Sequence, residues 1–481
     1  MEVLQRTANR GSISTGFDID NSLKIEEDNA EHMTRTYSEA GVKTKGTISF
    51  WHKRSEIQSG IKRPVDCADG SSSNSSGIFI DAHRLCFDFG GSGRHSLRAN
   101  ALMRDSSAWY HLMATWDTSQ GTDSNRTKIY INGEQVTDLH EATYPSQNAN
   151  VQFFTNTGGG SQVNKLFCQA TNTSNHPSGY FAEFNYVNNA QLTPSDFGEY
   201  DEDSGIWKPK KYTGSYGDTG FYLNFADAAD LGDDESINGN DWTEVNISAA
   251  DQATDTPTNN FCTINPLIPY YGSVSEGATK WLHTSGGSGW ESFVATMGAG
   301  TSGKWYAEFK VVTSGSADNL IGICPIDDPD LNRGADHFPY YGSDTSLDES
   351  VGYYAANGQR YIGGGGAAYG NTWASTNIMS IAVDMDNGKL YFAKDGVWQN
   401  SGDPTSGATG TGALDVRGAT KPQSLGAGNY TSGENILANY GGYTTITISS
   451  AASDANGYGT FEYAPPSGYY ALCTQNLAVY G

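Results

Sequence analysis

The sequence predicts an all-β protein built from two β-sandwich modules in tandem, on three observations. The stretch from Asp384 to Trp398 reads as two tight turns, at Asp386-Asn387-Gly388 and Asp395-Gly396, separating residues of alternating polarity. Asp-Gly and Asn-Gly pairs favour hairpins because the preferred two-residue turns need positive φ. A similar phrase lies far upstream, at Thr127 to Val136 around Asn132-Gly133, so the pattern belongs to two modules. Finally, 58 glycines with only 15 prolines and 12% aromatic residues fit a turn-rich β protein rather than a disordered one.

Taken in order, residues 1–20 read as a polar N-terminal arm, and residues 21–228 as the first sandwich. Its strands begin at Ser22-Leu23-Lys24-Ile25. Thr47 to Arg54 is apolar at alternate positions and ends in basic residues where it leaves the core; Trp109 to Asp117 and Phe181 to Val187 follow. Thr193-Pro194 predicts a short helical turn, with Thr193 as cap and Pro194 at the first helical position. Gly220 to Phe225 reads as the closing strand. Residues 229–260, rich in Asp, Asn, Gly and Thr, read as a linker.

The second sandwich spans 261–481. Lys304 to Val312 and Ile378 to Asp384 are its clearest strands. The echo between Phe261-Cys262-Thr263-Ile264-Asn265 and Leu472-Cys473-Thr474-Gln475-Asn476 predicts that its first and last strands lie side by side.

Composition excludes several function classes. A net charge of −25 would repel nucleic acid, so no nucleic-acid partner is expected. No apolar run approaches the roughly 20 residues that span a bilayer, and the N-terminus lacks a signal-peptide core, so the expected site of synthesis is the cytoplasm, without membrane insertion. The six cysteines, Cys67, Cys86, Cys168, Cys262, Cys324 and Cys473, read as small buried thiols. No His or Cys pair stands at zinc-ligand spacing, so zinc is not expected. Without secretion the sequons at Asn172 and Asn246 carry no meaning.

Enzymatic motifs fare poorly. Gly298 to Lys304 fits GxxxxGK, but Trp305 follows where a phosphate-binding loop needs Ser or Thr, and the chain continues as a strand. The histidines are scattered and the Gly-Ser runs follow no strand–elbow–helix pattern, so no nucleophilic triad emerges.

The first module resembles the laminin-G-like, concanavalin-type jelly roll through Thr47-Ile48-Ser49-Phe50-Trp51, Trp109-Tyr110-His111-Leu112, Trp116-Asp117 and Ile129 to Gly133. The second resembles a SPRY domain through Lys304 to Glu308, Val351-Gly352-Tyr353, Asp384 to Trp398 and Asn439-Tyr440-Gly441. Both resemblances imply tandem concanavalin-like jelly-roll sandwiches. The tandem itself is similar to virion proteins of marine tailed phages, which implies a tail-fibre or tail-tip adhesin on the virion. Other virion proteins, and a host-surface glycan or receptor, would be its partners, with a homotrimer as the assembly. A capsid decoration or knob protein and a glycan depolymerase are the alternatives.

Concanavalin-type glycosidases place paired carboxylates on one strand, as in ExDxE, and no ExDxE occurs here. Glu183 and Glu308 stand singly and read as outward-facing; Asp384 and Asp386 read as strand-end and turn residues. No catalytic residue is therefore assigned and the protein is expected not to be an enzyme. No cofactor is expected beyond calcium, for which Asp327, Asp328 and Asp330 could supply clustered hard oxygens at a loop rim. Sugar binding needs flat aromatic faces and amides; the candidates are Tyr353, Tyr354, Asn357, Tyr361, Tyr369 and Trp373.

Overall fold

The computed structural model describes residues 16–68, 75–90, 95–156, 163–202, 204–268, 272–284, 286, 288–312, 317–326, 349–362 and 365–481. The protein is all-β, and the described chain divides at Thr258/Asn259 into two compact units. Among the described residues each unit is a pair of antiparallel sheets with side strands.

In the first unit the long strand Lys45–Arg54 sits mid-sheet between Trp109–Asp117 and Gly179–Asn188, neighbours that are remote in sequence. The facing sheet runs through Arg84–Phe89, Ser75–Asp81, Lys62–Ala68, Val163–Leu166 and His32–Arg35. Alternation along Lys45–Arg54 sends Ile48 and Phe50 inward, where Phe50 stacks on Phe184 at 4.8 Å. Asn132 and Gly133 both have positive φ, the type I′ geometry their sequence demands.

Thr47, Ser49 and Trp51 face the other way, yet they too are buried. A third layer seals that face: Phe197 and Tyr216 pack on Met113, Tyr130 and Val187, and on Tyr222 of strand Phe221–Leu223, which pairs with Gly179–Asn188 in the same sheet. It begins where Thr47 Oγ1 donates to the Ala190 carbonyl (2.8 Å) and continues through a turn at Pro194–Asp196. There the Asp196 carboxylate accepts from both the backbone N–H (2.9 Å) and the hydroxyl (3.0 Å) of Thr193, so the expected cap is present.

Residues 229–258 are not a linker. Thr243–Val245 pairs with His32–Arg35, Gln252–Ala253 pairs with Ser22–Ile25, and Trp242 lies in the core. Asp255 is held by Lys53 (2.6 Å) and by the indole N–H of Trp109 (3.0 Å), while its carbonyl accepts from Ser22 Oγ (2.6 Å). Both charged side chains of the Lys53–Asp255 pair are 1% exposed. Nor do residues 16–20 belong to an arm: Ile19 is buried and its backbone exchanges hydrogen bonds with Thr258 Oγ1.

The second unit repeats the scheme. Lys304–Val311 is the central strand, flanked by Met379–Asp384 on one side and by Asn435–Asn439 and Tyr470–Ala471 on the other. The hairpin read from sequence forms as expected, with positive φ at Asp395 and Gly396. The Asp384 carboxylate caps the preceding turn by accepting from Asn387, and Asp386 accepts from Gly303 N–H (2.8 Å). Phe261 and Cys473 bridge, which brings the two ends of the unit together. The last segment is not a strand throughout, because Thr474–Tyr480 closes as an α-helix.

Here too an irregular segment covers the sheet, with Phe461 and Tyr469 packed on Tyr306, Ala382 and Tyr391. Glu308 lies beneath it, fully buried. Its oxygens accept from Tyr306 Oη (3.0 Å), Asn439 Nδ2 (3.1 Å) and the backbone N–H groups of Glu462 (3.0 Å) and Tyr463 (2.8 Å).

Removing one member of a buried ion pair leaves its partner uncompensated, which costs about 3–5 kcal/mol. Asp255→Ala is therefore expected to destabilise the protein by about that amount in chemical denaturation. The double variant Lys53→Met/Asp255→Leu should regain most of the loss, because neither charge then remains.

Candidate functional site

Strands that end at one rim of the first unit border a small polar cleft with about 10 Å³ of enclosed space, room for one water. Lys45–Arg54 delivers His52 and Arg54, the following loop delivers Glu56 and Gln58, and Lys62 opens the next strand. Pro177 and Ser178 close the cleft just before strand Gly179–Asn188.

Most of these polar groups are fixed by neighbours. His52 stacks on Phe181 at 4.3 Å, and its Nδ1 donates to the Tyr180 carbonyl (3.1 Å). Burial holds its pKa at about 3, so the ring stays neutral. The Arg54 guanidinium donates to the carbonyls of Met103 (2.6 Å) and Gln58 (3.2 Å), which pins the loop; burial lowers its pKa to about 10. Lys62 pairs with Glu27.

Glu56 forms a side-chain hydrogen bond with Glu26, and burial raises its pKa. Ser178 Oγ donates to Glu26 (3.1 Å) and accepts from Glu27 N–H (3.2 Å). Two carboxyl groups in such contact share a proton, because both cannot ionise at that separation. They stand too close to flank a glycosidic bond, which needs about 5–10 Å between carboxyls. The cleft offers hydroxyl, amide, carboxyl and ammonium groups in a small, rigid space.

A second constellation lies under the third layer. Ser49 Oγ is 2.8 Å from His111 Nε2, and Trp207 Nε1–H donates to His111 Nδ1 (3.1 Å). Since the indole can only donate, Nδ1 is unprotonated, and the neutral ring carries its proton on Nε2. Burial keeps its pKa at about 3. His111 therefore donates to Ser49 and cannot serve as its base. This pair escaped sequence reading because Trp207 reaches it from a separate segment.

Glu183 and Glu308 are not outward-facing in solvent; the covering layers bury both. Glu183 sits at positive φ where the pairing of Gly179–Asn188 with Lys45–Arg54 shifts register. Tyr222 Oη lies 2.8 Å from both of its oxygens. Burial raises its pKa to about 7, against the opposing influences of Tyr222 and Lys211. Like Glu308, it stands apart from any second carboxylate that would make a catalytic pair in the described contacts.

The aromatic candidates of the second unit are also inside. Tyr353, Tyr369 and Trp373 belong to the main core, while Tyr354 and Tyr361 pack together at 5.8 Å in a satellite cluster. Tyr353 stacks on Phe392 at 5.4 Å, so its face is taken. Asn357 is exposed and bonds Tyr361 Oη (3.2 Å), which leaves that region an amide but no open aromatic platform. The calcium candidates Asp327, Asp328 and Asp330 lie outside the described residues.

Residues 20–189 match the family described as the concanavalin A-like lectin/glucanases superfamily, in its laminin-G-like form. Solved structures similar to this chain include the SPRY domain of human HERC1 (15% identity, covering 38% of this chain and 99% of that one, TM-score 0.28). A second human SPRY domain aligns at 18% identity over 35% of this chain and 94% of that one, with a TM-score of 0.27. A heptameric pentraxin from Limulus polyphemus aligns at 12% identity over 37% and 80%, with a TM-score of 0.27. The first unit is thus laminin-G-like, and no ligand follows from these likenesses.

Glu183 makes stability depend on pH. Its folded pKa of about 7 lies above the ordinary 4.5, so below pH 4.5 both states hold the proton and it has no effect. As pH rises from 4.5 to 7 the unfolded chain gives up the proton first, and the native state loses stability. The full penalty, about 3 kcal/mol, is present above pH 7. Glu183→Gln is expected to be the more stable protein at pH 8 by up to that amount, with the gap closing by pH 4.5. Denaturation curves at both pH values check this; a gap independent of pH would refute the assignment.

Proposed function

We propose that this protein is a non-enzymatic adhesin of a tailed-phage virion, which binds a host-surface glycan through the rim cleft of its laminin-G-like unit. The cleft carries the reading. Its enclosed space of about 10 Å³ admits one water-sized group, so on this reading the cleft holds a sugar hydroxyl at the surface and not a whole ring. Its amide, hydroxyl, carboxyl and ammonium groups match the donors and acceptors of a polyol. The hydrogen-bonded Glu56–Glu26 pair favours holding a sugar over cleaving it. The phage assignment is supported by the resemblance of the tandem to virion proteins of marine phages. A net charge of −25 suits a particle surface that does not adhere to nucleic acid. On this reading the chain works as a homotrimer on the virion, and light scattering of the purified protein measures that.

Titration calorimetry against a panel of bacterial surface polysaccharide fragments tests the binding. Saturable binding is expected, without release of reducing ends. Lys62→Met or Gln58→Ala should weaken it about tenfold or more, as loss of a hydrogen bond involving a charged or buried group would. A protein that binds other virion components but neither cells nor polysaccharide would instead be a structural decoration.

A further inference from the structure

We propose that the first unit holds one zinc ion between His32, Cys168 and His176. These three side chains are buried, and one ligand atom from each lies within 4.8 Å of the others. They come from three places in the chain. His32 opens strand His32–Arg35; Cys168 follows strand Val163–Leu166, which pairs with it through Leu166 and Met33; His176 precedes strand Gly179–Asn188.

Both imidazoles are already oriented as metal ligands usually are. His32 Nδ1 lies 2.9 Å from the Ala30 carbonyl, and His176 Nδ1 lies 3.1 Å from the Glu31 carbonyl. A carbonyl only accepts, so each Nδ1 carries the ring proton and each neutral ring presents a bare Nε2 lone pair. This outer hydrogen bond is the arrangement that fixes tautomer and ring angle at metal-binding histidines. The Nε2 of His176 is buried and finds no hydrogen-bond partner among the described residues. A buried acceptor left unsatisfied is destabilising, and an ion between the three groups would satisfy it.

The donor set selects the metal. Two imidazole nitrogens and one sulfur suit a borderline-soft ion such as Zn²⁺ and not the hard Ca²⁺ or Mg²⁺, which need oxygen. Tetrahedral bonds of about 2.0–2.3 Å require ligand atoms roughly 3.3–3.7 Å apart, so closure of about one ångström accompanies binding. The Cys168 thiol gives up its proton to solvent as the sulfur–metal bond forms. Burial pushes that thiol up to about 12, with Lys165 acting the other way, and the ion supplies the positive charge that lets the thiolate exist there.

The test uses the full chain, stripped with a chelator and titrated with Zn²⁺ alone, then with Co²⁺ as a coloured substitute. About one ion per chain is expected, with visible tetrahedral bands and a near-ultraviolet thiolate-to-cobalt band. Cys168→Ser should abolish the near-ultraviolet band. His176→Ala should weaken binding by about 100-fold or more, and Zn²⁺ should raise the melting temperature of the wild type only. Should either variant fail to fold, protection of Cys168 from alkylation by Zn²⁺ in the wild type decides. The proposal is overturned if the folded wild type binds no Zn²⁺ saturably, if its Co²⁺ form lacks the thiolate band, or if it takes copper alone.

Discussion

A carboxylate taken out of water must be given donors in its place. Both units do this, and much of their architecture depends on it. In the first unit Asp255 anchors the C-terminal segment, with the Lys53 ammonium and the Trp109 indole on its carboxylate. Lys53 also lies 5.8 Å from the centre of the Tyr180 ring, so the cation is accommodated by an aromatic face as well. In the second unit Glu308 holds the 461–463 segment without a cation, through two side-chain donors and two backbone N–H groups. Burial still raises its pKa, because desolvation outweighs the four donors. The two solutions differ in chemistry and share one effect: a segment outside the long strands is fixed against the sheet.

In the first unit the third layer around Phe197, Trp207 and Tyr216 decides what the polar groups beneath it can do. Ser49, His111 and Glu183 would be ordinary surface residues on a two-layer sandwich. Covered by Trp207 and Tyr216, they fall into two hydrogen-bonded groups, Ser49–His111–Trp207 and Glu183–Tyr222, whose tautomers and charges are dictated by neighbours. A buried network with every member engaged contributes rigidity rather than reactivity. The rim cleft differs because its lining comes from strand ends and loops, and no residue of the third layer lines it.

The local features were legible in the sequence. Asn132-Gly133 and Asp395-Gly396 announced their turns because positive φ restricts the residues that can stand there. The strands Ser22–Ile25, Lys45–Arg54 and Trp109–Asp117 followed from alternation. Alternation gives two faces, however, and does not say which of them a third layer will cover. For that reason alternation alone makes Glu183 and Glu308 outward-facing and leaves Tyr353 and Trp373 as candidates for sugar contact. The segment 229–260 misled for a related reason. Its Asp, Asn and Gly content is that of a linker, while Thr243–Val245 and Gln252–Ala253 are too short to show a period. Their pairing partners lie some 200 residues away, where no local pattern can point.

The histidine–cysteine cluster shows the same limit from the functional side. Zinc motifs are recognised by ligands a few residues apart on one turn or hairpin. Here pairing of Val163–Leu166 with His32–Arg35 does the gathering, so the spacing in sequence carries no signal. The cluster and the cleft nevertheless use the same pieces of chain. His176 is followed at once by Pro177 and Ser178, which line the cleft. His32 follows Glu31, whose carboxylate accepts from Lys24 (2.8 Å) and from the backbone of Glu26 (2.7 Å). Ser178 and Glu26 meet in turn at 3.1 Å. A shift of about one ångström at either histidine would therefore be passed by peptide geometry to the Ser178 hydroxyl, which lines the cleft, and to the Glu26 carboxyl bonded to it. The two features share one mechanical frame, and neither can be rearranged without moving the other.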